Sequence, residues 1–164
     1  MFIVFMGVSG CGKTSIGMRI AGILNFTFYE GDDFHSAANV KKMAGGTPLT
    51  DEDRESWLGD LSELIKRELS LDQSGVLTCS ALKEDYRQRL QVDSKKVVFI
   101  YLKGGYDLIY SRMAKRKNHY MTPKMLKSQF KVLEEPVDVF TVNIENSPEE
   151  IVEEILTFLK DREK

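Results

Sequence analysis

Gly7-Val-Ser-Gly-Cys-Gly-Lys-Thr14 satisfies the pattern G-x-x-x-x-G-K-[ST] and predicts a phosphate-binding loop. It lies between an apolar run at residues 2–6, predicted as a strand, and a segment of helical spacing that begins near Lys13. Glycines are needed because backbone N–H groups must converge on phosphate oxygens, while the following helix presents the positive end of its dipole. The residues expected to bind the nucleotide are Gly7, Val8, Ser9, Gly10, Cys11, Gly12, Lys13 and Thr14.

Two residues of this loop have distinct expected roles. Lys13 should reach the β- and γ-phosphates of ATP as a catalytic cation, and the Thr14 hydroxyl should ligate the Mg²⁺ that bridges them. The alternative is a glycine-rich turn that matches by chance, which the flanking strand and helix disfavour. Cys11 could be a reactive thiol at a helix N-terminus, but a small, tolerated loop residue is the favoured interpretation.

Short β-branched or aromatic runs alternate with helical segments along the chain. The runs predict buried strands at residues 2–6, 26–29, 76–79, 97–102 and 138–143. Thr50-Asp-Glu-Asp53 and Ser147-Pro-Glu-Glu150 resemble capping boxes, so the final helix should begin near Pro148. The alternation predicts an α/β fold of three layers, helix–sheet–helix, as a single domain over residues 1–164 with a five-stranded parallel sheet.

Composition narrows the functional classes. The 164 residues are 42% hydrophobic, which suffices for one core, and the net charge of −2 offers no global attraction for nucleic acid or a membrane surface. Cys11 and Cys79 form neither a disulfide framework nor a metal-ligand spacing, which favours a reduced, cytoplasmic setting. We expect the apolar start to be a strand rather than a signal or membrane anchor.

Three carboxylates follow the second predicted strand in the segment Glu30-Gly-Asp-Asp33. Parallel sheets bind ligands at the carboxyl ends of their strands, where these side chains should lie. A phosphoryl acceptor needs a carboxylate to orient its hydroxyl and take its proton, and the metal shell needs another. We therefore predict Asp32 as the catalytic base and Glu30 in the outer shell of the metal. The alternative is a solvated turn that caps the helix carrying His35, a role better suited to Asp33.

A positive run from Arg112 to His119 ends one predicted helix, and Thr122-Pro123 starts another. This predicts a short mobile lid at about residues 113–124. Arginines brought in by closure would stabilise the charge of the transferring phosphoryl group, so Arg116 should contact phosphates and Arg112 should assist or stack on adenine. The alternative is that these cations only complement a helix C-terminus.

Further motifs follow one another along nearly the whole chain, among them Gly31-Asp-Asp-Phe-His35, Gly46-Thr-Pro-Leu-Thr-Asp-Glu-Asp-Arg54, Cys79-Ser-Ala-Leu-Lys83, Ser128-Gln-Phe130 and Leu133-Glu-Glu-Pro136. Together these segments resemble the gluconokinase family of P-loop small-molecule kinases. The resemblance implies a fold like that of nucleoside monophosphate kinases, ATP-dependent phosphorylation of D-gluconate at its 6-hydroxyl, and a homodimer. It also implies an adenine pocket near residues 138–146. One departure is Ser56, where relatives usually have proline before the tryptophan.

Gluconate carries one carboxylate and a row of hydroxyls, so its site should combine a guanidinium with neutral hydrogen-bonding groups. In similar kinases the acceptor site is built from the helices after the second strand, the end of the third strand and the segment after the lid. Five suitable residues of this chain lie in those segments. With Asp32, the expected substrate-binding residues are His35, Arg54, Lys83, Arg87 and Gln129. Lys83 and Arg87 could instead be a solvated helix face, and Trp57 is predicted to be core.

Two other functions stay open at this point. The first keeps the kinase fold but changes the acceptor, to a shikimate-like acid, a nucleoside monophosphate or another sugar acid. The second is a nucleotide-dependent switch without an acceptor, although the chain lacks an Asn-Lys-x-Asp base-reading motif. Nucleic acid is disfavoured as the acceptor because the basic residues are concentrated in the short lid and lack interleaved aromatic side chains.

Overall fold

All five predicted strands form, and they make one parallel sheet. The computed structural model describes residues 1–115 and 122–162. The strands are β1 (Phe2–Met6), β2 (Thr27–Glu30), β3 (Gly75–Thr78), β4 (Val97–Lys103) and β5 (Phe140–Asn143). Their order in the sheet is β2-β3-β1-β4-β5, so β1 lies at the centre. Val4 of β1 pairs with Leu77 on one side and Phe99 on the other.

The sheet separates two apolar cores, because alternate side chains of a strand point to opposite faces. Ile3 and Phe5 belong to one core, whereas Phe2, Val4 and Met6 belong to the other. All five β1 side chains are fully buried, as expected for a central strand covered on both faces. This arrangement confirms the predicted three-layer fold.

The described residues form seven α-helices and one short 3₁₀ turn. The first core is covered by α1 (Lys13–Leu24), α5 (Tyr106–Ala114), α6 (Pro123–Val132) and α7 (Pro148–Arg162). The second core is covered by α3 (Asp51–Ser70) and α4 (Glu84–Leu90). The 3₁₀ turn Gly31–Phe34 and helix α2 (Ala37–Ala44) follow β2.

Both predicted capping boxes are present. The Thr50 side chain accepts a hydrogen bond from the Asp53 backbone N–H, and the Asp53 carboxylate accepts from the Thr50 N–H in return. Ser147 and Glu150 exchange the same pair of bonds at the start of α7, which begins at the predicted Pro148. The proposed capping role of Asp33 is wrong, because the N-cap of α2 is Ser36 and Asp33 lies inside the 3₁₀ turn.

Residues on both sides of the predicted lid are defined. Helix α5 ends at Ala114, and α6 begins at Pro123 with Thr122 as its N-cap. Residues 116–121, including Arg116, lie outside the described residues, so the lid itself stays a prediction. Across residues 1–115 and 122–162, none of the helices has the length and apolar character needed to cross a bilayer.

Candidate active site

The phosphate-binding loop connects the central strand to α1, as predicted. The Lys13 amine donates to the carbonyl oxygens of Gly7 and Val8, each at 3.0 Å, which holds its charge over the loop. Gly10 has a φ of +82°, and a Cβ at this position would lie 2.8 Å from Met113 Cγ of α5. A side chain there would strain the backbone and displace the Met113 side chain of α5. Cys11 is buried, which agrees with a structural loop residue.

Thr14 and Glu30, the two residues predicted to hold the metal, are in direct contact. The Thr14 hydroxyl donates to Glu30 Oε2 at 2.6 Å, and the Thr78 hydroxyl donates to Glu30 Oε1. The Gly31 backbone N–H donates in turn to Thr78 Oγ1 at 3.3 Å. The ends of β2 and β3 therefore place the Glu30 carboxylate and the Thr78 hydroxyl beside the loop, where Thr14 of α1 adds a second hydroxyl. Oxygen groups of this kind are the ligands that Mg²⁺ prefers. Among the described residues, no cluster of three or more His, Cys, Asp or Glu side chains could hold a metal ion.

The acidic turn after β2 carries Asp32 and His35. His35 Nε2 lies 3.8 Å from Asp32 Oδ1, and its side chain is only 4% exposed, whereas that of Asp32 is 57% exposed. The His35 ring stacks on Trp57 with centroids 4.2 Å apart, and Trp57 Nε1 donates to the Gly31 carbonyl at 2.8 Å. Burial lowers the pKa of His35 below its ordinary value, opposed by Asp32 and assisted by Arg54.

One cleft brings together four of the six predicted substrate-binding residues and two residues of the phosphate loop. It encloses about 710 Å³, including space open to solvent. The predicted site residues among its lining are Ser9, Lys13, Asp32, His35, Arg54 and Gln129.

Arg54 is held in this cleft by Leu49, which precedes α3, and by Tyr86 of α4. Its guanidinium donates to the Leu49 carbonyl at 2.6 Å and lies 5.7 Å from the centroid of the Tyr86 ring. The Tyr86 hydroxyl donates to Asp51, which also receives two bonds from the Lys83 amine at 2.8 and 2.9 Å. These bonds from Lys83 and Tyr86 lower the pKa of the Asp51 carboxyl. Asp51, Tyr86 and Lys83 thus form a network on one side of Arg54.

Lys83 and Arg87 do not line the cleft. Arg87 is 5% exposed, and its guanidinium donates to the carbonyls of Ala81 and Leu82 and to Glu84 Oε2. The alternative of a solvated helix face is therefore wrong for Arg87. Because these bonds connect α4 to the preceding segment, the geometry favours a structural role for Arg87, and its binding of substrate stays a prediction that the cleft does not support.

Arg112 lies near the segment expected to bind adenine. Its guanidinium donates to the Ile144 carbonyl at 2.7 Å, directly after β5. The α5 helix that carries Arg112 also packs on Gly10 through Met113. Helix α5 is therefore in contact with both the phosphate loop and the segment after β5.

Several contributors to the site were not found by the sequence analysis. Thr78 orients Glu30, and Trp57, correctly predicted as core, also stacks on His35. Asp51 was recognised only as part of a capping box, yet it pairs with Lys83, 32 positions away. No local pattern indicates such a pair, since it depends on how α3 and α4 pack.

Comparisons with known proteins agree with this geometry. The sequence model of the shikimate kinase family matches residues 9–160. A probable gluconokinase of Mus musculus is 38% identical, with 96% of this chain and 97% of the relative covered. The thermosensitive gluconokinase of Escherichia coli K12 is 44% identical, with coverage of 81% and 71%.

Solved structures of similar proteins share the fold of this chain. A gluconokinase from Sinorhizobium meliloti 1021 superposes with a TM-score of 0.88 at 37% identity, covering 97% of this chain and 91% of that one. A shikimate kinase from Aquifex aeolicus, at 18% identity and a TM-score of 0.59, shares the fold. With the phosphate loop, the carboxylates after β2 and the full-length similarity taken together, this chain belongs to the gluconokinase family of P-loop kinases.

Proposed function

We propose that this protein transfers the γ-phosphoryl group of ATP to the 6-hydroxyl of D-gluconate, giving 6-phospho-D-gluconate. The observation that carries the proposal is the single cleft lined by Lys13, Asp32 and Arg54. A phosphate-binding cation, a carboxylate and a guanidinium in one cleft match the three chemical requirements of the reaction. Gluconokinase relatives over nearly the full length support the same acceptor.

Asp32 is the proposed base. Its exposed carboxylate can accept a hydrogen bond from the acceptor hydroxyl, orient the oxygen toward the γ-phosphorus, and take the proton as the new P–O bond forms and the bond to ADP breaks. His35 is neutral near pH 7 because burial lowers its pKa. A neutral imidazole can exchange hydrogen bonds with substrate hydroxyls without adding charge beside Asp32.

Arg54 is the proposed anchor of the gluconate carboxylate. A guanidinium offers a planar pair of donors, and the bond to Leu49 and the Tyr86 ring hold it in one orientation. Lys13 provides positive charge for the phosphates. Arg116 is proposed to contact the transferring phosphoryl group from the lid, and Arg112 to bind on the adenine side, near Ile144.

Magnesium fits the oxygen set beside the loop. Thr14 would be a direct ligand and Glu30 an outer-shell partner. The Thr14 hydroxyl already donates to Glu30, which leaves its oxygen lone pairs able to bind the metal. Bound Mg²⁺ would neutralise charge on the β- and γ-phosphates. A cytoplasmic location and a homodimer are further parts of the proposal. The location rests on the two free cysteines, and the homodimer rests on the family resemblance. Light scattering during size-exclusion chromatography would measure the oligomeric state.

The deciding experiment is an ADP-release assay with Mg²⁺-ATP and a panel of acceptors, namely gluconate, other aldonic acids, shikimate and nucleoside monophosphates. We expect gluconate to be the one acceptor of the panel that gives rapid turnover. The Lys13→Ala variant should give no turnover with any acceptor. Turnover confined to another acceptor would keep the kinase and remove gluconate as its substrate. ATP binding without turnover of any acceptor would favour a nucleotide switch.

A further inference from the structure

A side chain of α6 is hydrogen-bonded to the phosphate-binding loop. The backbone N–H of Ser9 donates to Gln129 Oε1 at 2.7 Å, although the two residues are 120 positions apart in the sequence. Both residues line the cleft together with Lys13. The bond therefore connects the loop that holds the nucleotide to a helix that forms part of the cleft wall.

Helix α6 is well placed to transmit a change in the loop. It supplies four lining residues to the cleft, namely Met125, Ser128, Gln129 and Val132. Met125 and Leu126 are buried in the core, and Thr122 caps the first turn through the Met125 N–H at 3.2 Å. Because α6 forms part of the cleft wall, a shift of this helix would move the acceptor side of the cleft.

The hydrogen bond between Ser9 and Gln129 uses a donor that a phosphate could also use. A backbone N–H in a phosphate loop is a donor that could serve an anion, and here it is paired with a neutral amide oxygen. With Oε1 on the N–H, the amide NH₂ of Gln129 is the end that remains able to donate. Typical hydrogen bonds of this kind correspond to roughly a fivefold change in an equilibrium constant.

We propose that Gln129 is a positioning residue that couples nucleotide binding to the acceptor side of the cleft. Nucleotide orders the loop, and the Ser9–Gln129 bond transmits this order to α6. Since coupling is reciprocal, acceptor binding must then favour nucleotide binding by the same factor. The identity of the acceptor rests on the proposed function, whereas the coupling between loop and helix does not.

Hydrogen–deuterium exchange of residues 123–132 tests the coupling without an acceptor. We expect saturating Mg²⁺-ADP to slow exchange there in the wild type, and this slowing to be about fivefold smaller in Gln129→Leu, which keeps the volume but loses the oxygen. Gln129→Glu keeps an acceptor oxygen for the Ser9 N–H. It should therefore retain the slowing when ADP is added at a concentration that saturates this variant. Lys127→Ala, an exposed change on the same helix, is the control.

Two outcomes would overturn the coupling. Equal slowing in Gln129→Leu and the wild type would show that the order reaches α6 by another route. Tighter ADP binding by Gln129→Leu would show that the side chain competes with phosphate for the Ser9 N–H.

The gluconate dissociation constant, measured with and without ADP, separates this inference from the proposed function. We expect ADP to tighten gluconate binding about fivefold in the wild type and hardly at all in Gln129→Leu. If the wild type shows the α6 response but neither binds nor phosphorylates gluconate, the acceptor is wrong and the coupling stands. If gluconate is phosphorylated and ADP tightens its binding equally in both proteins, the coupling is wrong and the acceptor stands.

Discussion

Asp32 and Glu30 are separated by one residue but have different surroundings. Glu30 accepts hydrogen bonds from the Thr14 and Thr78 hydroxyls, which fixes its carboxylate beside the phosphate loop. Asp32 projects into the cleft from the 3₁₀ turn with more than half of its side chain exposed. Gly31 lies between them and packs directly on β3, where a Cβ would lie 2.0 Å from the Thr78 carbonyl oxygen. The position between the two carboxylates therefore requires glycine.

Replacing Asp32 tests its role as the base. Asp32→Asn should lower kcat by roughly 10²- to 10⁴-fold, because the amide cannot accept the proton, while the dissociation constant for ATP stays nearly unchanged. Steady-state kinetics together with calorimetric titration of ATP would measure both. Asp33→Asn, in the same turn and also exposed, is the matched control. A kcat that falls equally in both variants would indicate a general effect on the turn.

His35 makes stability depend on pH in a defined window. Its pKa is lowered by burial from 6.5, so the unfolded chain binds more protons than the folded one between pH 6.5 and that lower value. The free energy of unfolding should therefore fall as the pH drops through this window. Urea unfolding at several pH values should show a shallower fall in His35→Gln. Identical pH slopes in the two proteins would contradict a buried, neutral imidazole.

At the scale of elements, the capping box of α3 connects stability to the site. Thr50 starts the helix that carries Arg54 one turn later and Trp57 beneath His35. Thr50→Ala should cost about 1 kcal/mol of unfolding free energy, since the Asp53 N–H loses its acceptor. It should also raise the KM for gluconate more than the KM for ATP. Ser147→Ala at the start of α7, a residue that does not line the cleft, should reduce stability similarly but leave the KM for gluconate unchanged.

The sequence predicts the elements better than it predicts their mutual contacts. The strands and the two capping boxes follow from local patterns, because apolar runs and Thr/Ser with Asp/Glu three residues on act over short distances. Arg87 could not be placed in this way, since its burial depends on carbonyls of the preceding segment. The stacking of His35 on Trp57 and the bond from Ser9 to Gln129 likewise arise only when distant segments pack.

At the scale of the whole molecule, the sheet order explains why one ligand can stabilise the entire fold. Placing β3 between β1 and β2 gathers the phosphate loop, Glu30 and Thr78 at one edge of the sheet. A nucleotide bound at the loop would lie beside segments that follow β1, β2 and β3. A ligand that binds only the folded chain raises the free energy of unfolding by mass action.

Thermal unfolding with ADP can therefore reveal the metal ligand. At about 100 times its dissociation constant, Mg²⁺-ADP should add about 2.7 kcal/mol of stability, which for a chain of this length raises Tm by roughly 5–10 °C. ADP with a chelator should give a smaller rise. Thr14→Val keeps the shape but lacks the hydroxyl, so the part of the rise that depends on magnesium should disappear, whereas Thr14→Ser should retain it. If magnesium increased Tm equally in Thr14→Val and the wild type, each compared with its own ligand-free Tm, Thr14 would not be a ligand and the metal would be held by the phosphates and other groups.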